Sequence, residues 1–266
     1  MVVICDPNYV IPTLATALSV ERHVKAENVR ICLFVVGADP ETIGRVQAAA
    51  GTRIRVRSAD LPRFADYARN HRDRYLPAIA LARFWLGDLL DPEIDRFLYL
   101  DGDVMVDGAL DGLLAAPPPE GRLMAAPDAL SIYIDETLSR GRHHDLAYLA
   151  GLRCPSGDYF NSGVIYVSRR TWAEIVPVAK AFLLKHPERC RSSDQSALNF
   201  AARGRLGLLP LRYNYQSEHM MAFDPRDRGM RPTIWHFSSA PKPWDAAGWP
   251  WEGAFARDYA EAAARL

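Results

Sequence analysis

Phe97-Leu98-Tyr99-Leu100-Asp101-Gly102-Asp103-Val104-Met105-Val106 is an apolar run that stops at two aspartates separated by one glycine, then resumes. Alternate side chains of a strand leave on one face, so Asp101 and Asp103 are expected to point the same way. Two adjacent carboxylates repel, and burying them unpaired is costly, so the arrangement invites a divalent cation. Gly102 lets the chain turn and lets a ligand approach the backbone. Asp-Gly also favours a solvated hairpin turn, and this segment alone leaves both readings open.

Working outward, Val2 to Cys5 and Arg30 to Val36 are short apolar runs rich in β-branched residues, as in strands buried on both faces. Pro12 opens a helix that runs to about His23. Asp39-Pro40-Glu41 combines an N-cap, a first-turn proline and an acid at the positive helix end, and Gly51 closes that helix. Arg53 to Arg57 alternates as a third strand. Residues 64–90 read as mainly helical, with Leu81, Phe84, Trp85 and Leu89 at helical spacing, and Leu123 to Ala126 is another short strand. Strand and helix alternating at this density predict an α/β fold, a mostly parallel sheet with helices on both faces.

The second half is less regular. Ala129 to Asp158 reads as loops and short helices near a site. Val164 to Val167 is a strand, Trp172 to His186 a helix interrupted at Pro177, and Ser192 the start of another helix. Leu206 to Leu211 and Thr233 to Phe237 are strand candidates. Phe255, Tyr259, Ala262 and Leu266 form a closing helical stripe, and Pro117 to Pro119 a loop between the halves.

Composition narrows the function. The 266 residues suffice for one large α/β domain or two small ones. Lys plus Arg equals Asp plus Glu at 32 each, which gives no electrostatic reason to expect nucleic acid or an anionic membrane as partner. Four scattered cysteines without a Cys-x-x-Cys pair fit a reducing compartment. With no signal core and no apolar stretch near the ~20 residues that span a bilayer, a cytoplasmic protein without a transmembrane segment is expected.

A hard-cation site needs more than two carboxylates. His236 ends the apolar run Ile234 to Phe237, and a two-Asp, one-His set leans toward Mn2+, with Mg2+ the alternative. The plainer reading is a hydrogen-bonded core histidine. Lys242 lies between Pro241 and Pro243, which hold its cation in place beside a diphosphate or simply form a surface loop. Asn161, in Tyr159-Phe160-Asn161-Ser162-Gly163, sits in a small-residue turn before a strand and can bind sugar hydroxyls as donor and acceptor. Ser192 with Gln195 fits a capping box, and Asp194 suits the helix end. Asp6, Asn8 and Tyr9 follow the first strand, where α/β sheets place ligands; the first two suit a base edge and Tyr9 a stack. Arg83 either pairs with an aspartate of the metal site or extends to water.

Taken in order, these segments resemble the retaining glycosyltransferases of family 8, which include glycogenin and bacterial lipopolysaccharide galactosyl- and glucosyltransferases. The resemblance is carried by Asp6-x-Asn8-Tyr9, Arg83, Arg96 to Asp103, Tyr159 to Gly163, Asp194 to Asn199, Arg212 to Tyr215, and His236 to Trp244. It implies a GT-A fold over residues 1–266, with a nucleotide-binding half at 1–115 and an acceptor-binding half at 116–266. It also implies a UDP-hexose donor, UDP-glucose or UDP-galactose, bound with Mn2+, and a saccharide or glycoconjugate acceptor.

In this likeness Asp101, Asp103 and His236 are the metal ligands and Lys242 a diphosphate contact. Asp6, Asn8 and Tyr9 hold the uridine. Asp128, Asn161, Asp194 and Gln195 face the transferred sugar, with Arg83 and Asp101 near its hydroxyls or phosphate. Acceptor contacts are expected from Ala129 to Asp158 and Tyr213 to Arg231. Family members carry glycine near Ser239, and the serine here puts that backbone contact to phosphate in question. The closing helix lacks a basic aromatic tail, which gives little support to a lipid-linked acceptor. The competing readings are a catalytically weak sugar-nucleotide-binding protein and a metal-dependent nucleotidyltransferase or sugar-nucleotide hydrolase. Retention of both aspartates, His236, Lys242 and the Asp194-Gln195 pair argues against the first. The lack of glycine across Val2 to Asn8 argues against a nucleotidyltransferase.

Overall fold

The computed structural model describes residues 1–69, 78–134, 140–222, 225, 229–245, 248, 251 and 253–266. The strands are β1 (Val2–Cys5), β2 (Ile31–Val36), β3 (Ile54–Ala59), β4 (Arg96–Leu100) and β5 (Val104–Val106), then β6 (Leu123–Pro127), β7 (Phe160–Ser168), β8 (Leu206–Leu208), β9 (Tyr215–Gln216) and β10 (Ile234–His236). The helices are α1 (Val10–His23), α2 (Pro40–Ala50), α3 (Phe64–Ala68), α4 (Leu86–Leu89), α5 (Asp111–Ala115) and α6 (Ala129–Tyr133). They continue with α7 (Arg140–Gly151), α8 (Arg169–Lys185), α9 (Ser193–Ala201), α10 (Ser217–Ala222) and α11 (Ala256–Arg265). The main sheet has seven strands in the order β3-β2-β1-β4-β7-β6-β8, the mostly parallel α/β architecture expected.

Two compact units divide the chain. The first comprises Met1–Asp60, Leu98–Ala116 and Pro210–Leu266, the second Leu61–Phe97 and Pro117–Leu209. In the first, β1 lies between β2 and β4 and runs parallel to both, with Val2 opposite Cys32 and Tyr99. Every residue of β1 is buried, which is why it reads as an unbroken apolar run. Asp39 caps α2 by accepting from the Thr42 amide at 2.7 Å, and Gly51 ends the helix at φ +77°, as the sequence predicts.

α1 carries a polar stripe that the apolar pattern conceals. Thr13, Thr16 and Ser19 recur at helical spacing and are all fully buried. Thr16 donates to the carbonyls of Gly102 and Val104 at 3.2 and 2.7 Å, and Ser19 accepts from the Val106 amide at 3.0 Å. The hydroxyls thus clamp the backbone on both sides of Asp103. A second sheet, β5-β10-β9, builds on that clamped segment, with β10 antiparallel to β5. Because β4 and β5 belong to different sheets, the Asp-Gly turn is no hairpin.

α11 docks on α1 through an Arg22–Asp258 ion pair and buries Tyr259 and Ala262.

In the second unit β6 runs antiparallel to β7 and parallel to β8. α8 continues through Pro177. Pro177 and Ala173, whose carbonyl it leaves without an amide, both lie on the exposed face of the helix. β7 begins at Phe160, earlier than predicted, so Asn161 lies in a strand and not in a turn. The Asn199 side chain enforces this, accepting from the Phe160 amide at 2.9 Å and donating to its carbonyl at 2.8 Å. Residues 129–158 hold α6 and the twelve-residue α7, more helix than the irregular sequence predicts. Of the expected helical and acceptor-side segments, 70–77, 135–139, 223–224 and 226–228 lie outside the described residues. All four cysteines are buried, and none is in a disulfide. Among the described residues, no helix is long and apolar enough to cross a membrane.

Thr16→Val keeps the shape of the side chain and deprives two buried carbonyls of a donor. The expected result in urea denaturation is a loss of about 1–3 kcal/mol.

Candidate functional site

Asp6 and Asp101 follow β1 and β4, adjacent parallel strands of the first unit, at their carboxyl ends. The chain leaves β1 toward β2 on one side and β4 on the other. That reversal of strand order opens the crevice where α/β sheets bind ligands.

The ligand atoms of Asp101, Asp103 and His236 lie within 4.8 Å of one another, so the sequence-predicted set comes together as one cluster. Register achieves this. His236 pairs with Val104 across β10 and β5, and the Phe237 amide donates to the Asp103 carbonyl at 2.9 Å. The imidazole Nε2 sits 3.5 Å from Asp103 Oδ1 and 3.8 Å from Asp101 Oδ2. On its far side, Nδ1 donates to Oδ1 of the fully buried Asn214 at 2.9 Å. That bond turns the Nε2 lone pair of the neutral ring toward the carboxylates, the orientation a metal ligand needs. Asn214 lies in the Arg212 to Tyr215 segment that carries the family resemblance, but nothing in the local sequence signals its bond to His236.

Lys242 Nζ lies 2.8 Å from Asp103 Oδ2 and also donates to the Phe237 carbonyl. Burial opposes the Asp103 charge, but Lys242 and His236 outweigh it and hold the carboxyl well below the usual carboxylate range. Burial likewise opposes the imidazolium, and hydrogen bonding to Asp103 with the charges of Asp103 and Asp101 raises His236 above its ordinary value. The Tyr99 hydroxyl donates to Asp101 Oδ1. Two acids and an imidazole, oriented and charge-compensated, fit a hard divalent cation.

Gly102 is required by the close packing of α1 against the turn. A Cβ there would lie 2.3 Å from Thr13 Oγ1 and 3.2 Å from the Tyr9 ring. Asp6 Oδ1 accepts from the Asn8 amide at 2.9 Å, Asn8 is exposed, and Tyr9 meets Trp244 edge-on at 5.8 Å. The Ser239 amide faces Ser217 Oγ at 3.5 Å, and among the described residues its own buried hydroxyl has no hydrogen-bond partner.

The second unit holds the other predicted residues in one network. Gln195 does not complete a capping box: Ser192 makes no side-chain cap, and Gln195 Oε1 accepts from the Ser162 amide at 3.0 Å. Its Nε2 donates to Asp128 Oδ2 at 2.9 Å and to the Tyr159 hydroxyl at 3.1 Å. Asn161 donates to the same Asp128 oxygen at 3.1 Å, while Asp128 Oδ1 caps α6. Asp194 is 1% exposed and lies 2.9 Å from Arg83 Nε, so it is no solvated helix-end acid. The other end of the Arg83 guanidinium donates to the Ser162 carbonyl and hydroxyl at 2.6 and 2.9 Å. Arg83 therefore neither extends to water nor needs a metal-site aspartate as its partner.

The profile of glycosyl transferase family 8 matches residues 1–248, and the chain belongs to that family. A lipopolysaccharide 1,2-glucosyltransferase of Escherichia coli strain K12 is 27% identical over 173 residues, 61% of this chain and 48% of that protein. Glycosyltransferase GlyF of Streptococcus pneumoniae serotype 4 is 27% identical over 256 residues, 92% of this chain and 57% of its own. The chain spans about half the length of the curated relatives it matches. In fold it is similar to the galactosyltransferase LgtC, crystallised with donor and acceptor sugar analogs, with a TM-score of 0.78 at 23% identity over 100% of this chain and 95% of that one.

Arg83→Met should leave Asp194 charged and buried without its cation, at a cost of about 3–5 kcal/mol in chemical denaturation. Removing both charges with Arg83→Met and Asp194→Leu should recover part of that loss.

Proposed function

We propose that the chain is a metal-dependent retaining hexosyltransferase, with residues 1–266 acting as one catalytic domain. It moves glucose or galactose from a UDP-sugar to a hydroxyl of a saccharide or glycoconjugate. The observation that carries the reading is the convergence of Asp101, Asp103 and His236 beside Lys242, at the carboxyl ends of β1 and β4. A divalent cation held by the three ligands, Mn2+ in preference to Mg2+, would neutralise the developing charge of the diphosphate leaving group.

The protein supplies the rest. Lys242 offers a fixed ammonium to the diphosphate, turning from Asp103 once the couplet has another cation. Ser239 offers its hydroxyl in place of the family's glycine amide. Asp6, Asn8 and Tyr9 hold the uridine at the end of β1. Asp128, Asn161 and Gln195 bind sugar hydroxyls, and their mutual hydrogen bonds fix the direction of each donor and acceptor. Asp194 serves by anchoring Arg83. A carboxylate committed to a buried ion pair is a poor nucleophile, which favours attack from the face of the departing diphosphate, with that diphosphate taking the acceptor proton.

UDP release from a panel of UDP-sugars with Mn2+, repeated with saccharide acceptors, tests the reading. No turnover together with no Mn2+-dependent UDP binding would sink it, and a trapped glycosyl ester on Asp194 would refute same-face attack. Asp103→Ala should abolish Mn2+-dependent UDP binding in calorimetry. His236→Ala should weaken Mn2+ binding more than it lowers the melting temperature; the reverse order would make His236 a core residue.

Only the neutral imidazole binds metal, and the folded protein favours the charged ring. Mn2+ binding should therefore release a proton and strengthen as pH rises through and above the ordinary imidazole range. Calorimetry in buffers of different ionisation enthalpy reads that proton.

A further inference from the structure

Tyr259 of α11 is 3% exposed, and among the described residues its hydroxyl has no hydrogen-bond partner. Its ring meets Trp244 at 4.7 Å and Phe237 at 6.1 Å between centroids, the residues just past Lys242 and His236. Trp244 in turn meets Tyr9. The helix is fixed in place by the Arg22–Asp258 ion pair and by Arg265, which donates to the Ala49 carbonyl at 3.4 Å. After burial itself, Asp103 is the leading influence that raises the phenol above its usual range, followed by Tyr9. The hydroxyl thus lies in the field of Asp103. Both Asp103 oxygens are already faced by Lys242 and His236.

Burying an unpartnered hydroxyl is unfavourable, and phenylalanine would keep every ring contact without that cost. A hydroxyl retained here is accounted for if its acceptor arrives with a ligand. We propose that the Tyr259 hydroxyl is a donor-binding group that hydrogen-bonds a diphosphate oxygen of the bound sugar nucleotide. This rests on the metal–diphosphate reading above and brings α11, which the family's ordered segments do not include, into the site. Phosphate oxygens are anionic acceptors, and a phenol is a donor that brings no further charge to the carboxylates and Lys242.

Tyr259→Phe tests it, with UDP as the probe. The ligand-free variant should melt at or above the wild-type temperature, because the orphaned hydroxyl is gone. Its calorimetric affinity for UDP in Mn2+ should fall about tenfold, the loss of one hydrogen bond to a charged group. Wild-type affinity in the variant overturns the inference. So does weaker binding with a melting temperature lowered by several degrees, which marks a packing defect, or loss of a cooperative transition. A wild-type protein that binds UDP without regard to Mn2+ sinks the metal–diphosphate reading, and this inference with it.

Discussion

Two carboxylates held side by side in a nearly buried turn are the constraint from which the first unit is built. Left alone they would repel each other and the fold would resist burying them. Lys242 and His236 supply the compensating charge. Both come from late in the chain, and both are placed by the backbone: His236 by the β5–β10 register, Lys242 by its bond to the Phe237 carbonyl. Under the proposed function, a divalent ion would take the place of the imidazole proton and of the ammonium beside Asp103.

The turn itself is held from beneath. Thr16 and Ser19 fix the backbone around Asp103, and Gly102 is small because α1 presses against it. Ser19 donates to the Thr16 carbonyl of its own helix and still accepts from the Val106 amide, while Thr16 donates outward to an irregular segment whose carbonyls would otherwise go unpaired. Rigid support of this kind keeps two acidic side chains within an ångström-scale ligand geometry.

Charge is handled differently in the second unit. Arg83 and Asp194 neutralise each other out of water, and the guanidinium also donates to Ser162 and to the Ala80 carbonyl. Around this pair, Gln195 and Asn161 both donate to the same Asp128 oxygen. Asp194 and Gln195 are sequence neighbours in different settings, one buried against Arg83, the other half-exposed and hydrogen-bonded to Ser162, Asp128 and Tyr159.

Local chemistry wrote much of this into the chain. The buried parallel strands show as apolar runs because both faces are covered, Asp39 and Gly51 mark α2 because capping is a short-range interaction, and ordered motifs from Asp6 to Trp244 identify the family. Short-range rules failed where a distant partner outcompeted the local one. Ser192 and Gln195 have the spacing of a capping box, yet Ser162 and Asp128 claim the glutamine; Asn161 reads as a turn residue until Asn199 draws Phe160 into the strand. The tertiary structure alone decided that Asp194 is sealed against Arg83, that Thr16 and Ser19 hold the turn around Asp103, and that Asn214 orients the His236 ring. Strand register, helix docking and burial set a side chain's neighbours in space, and no spacing along the chain encodes them.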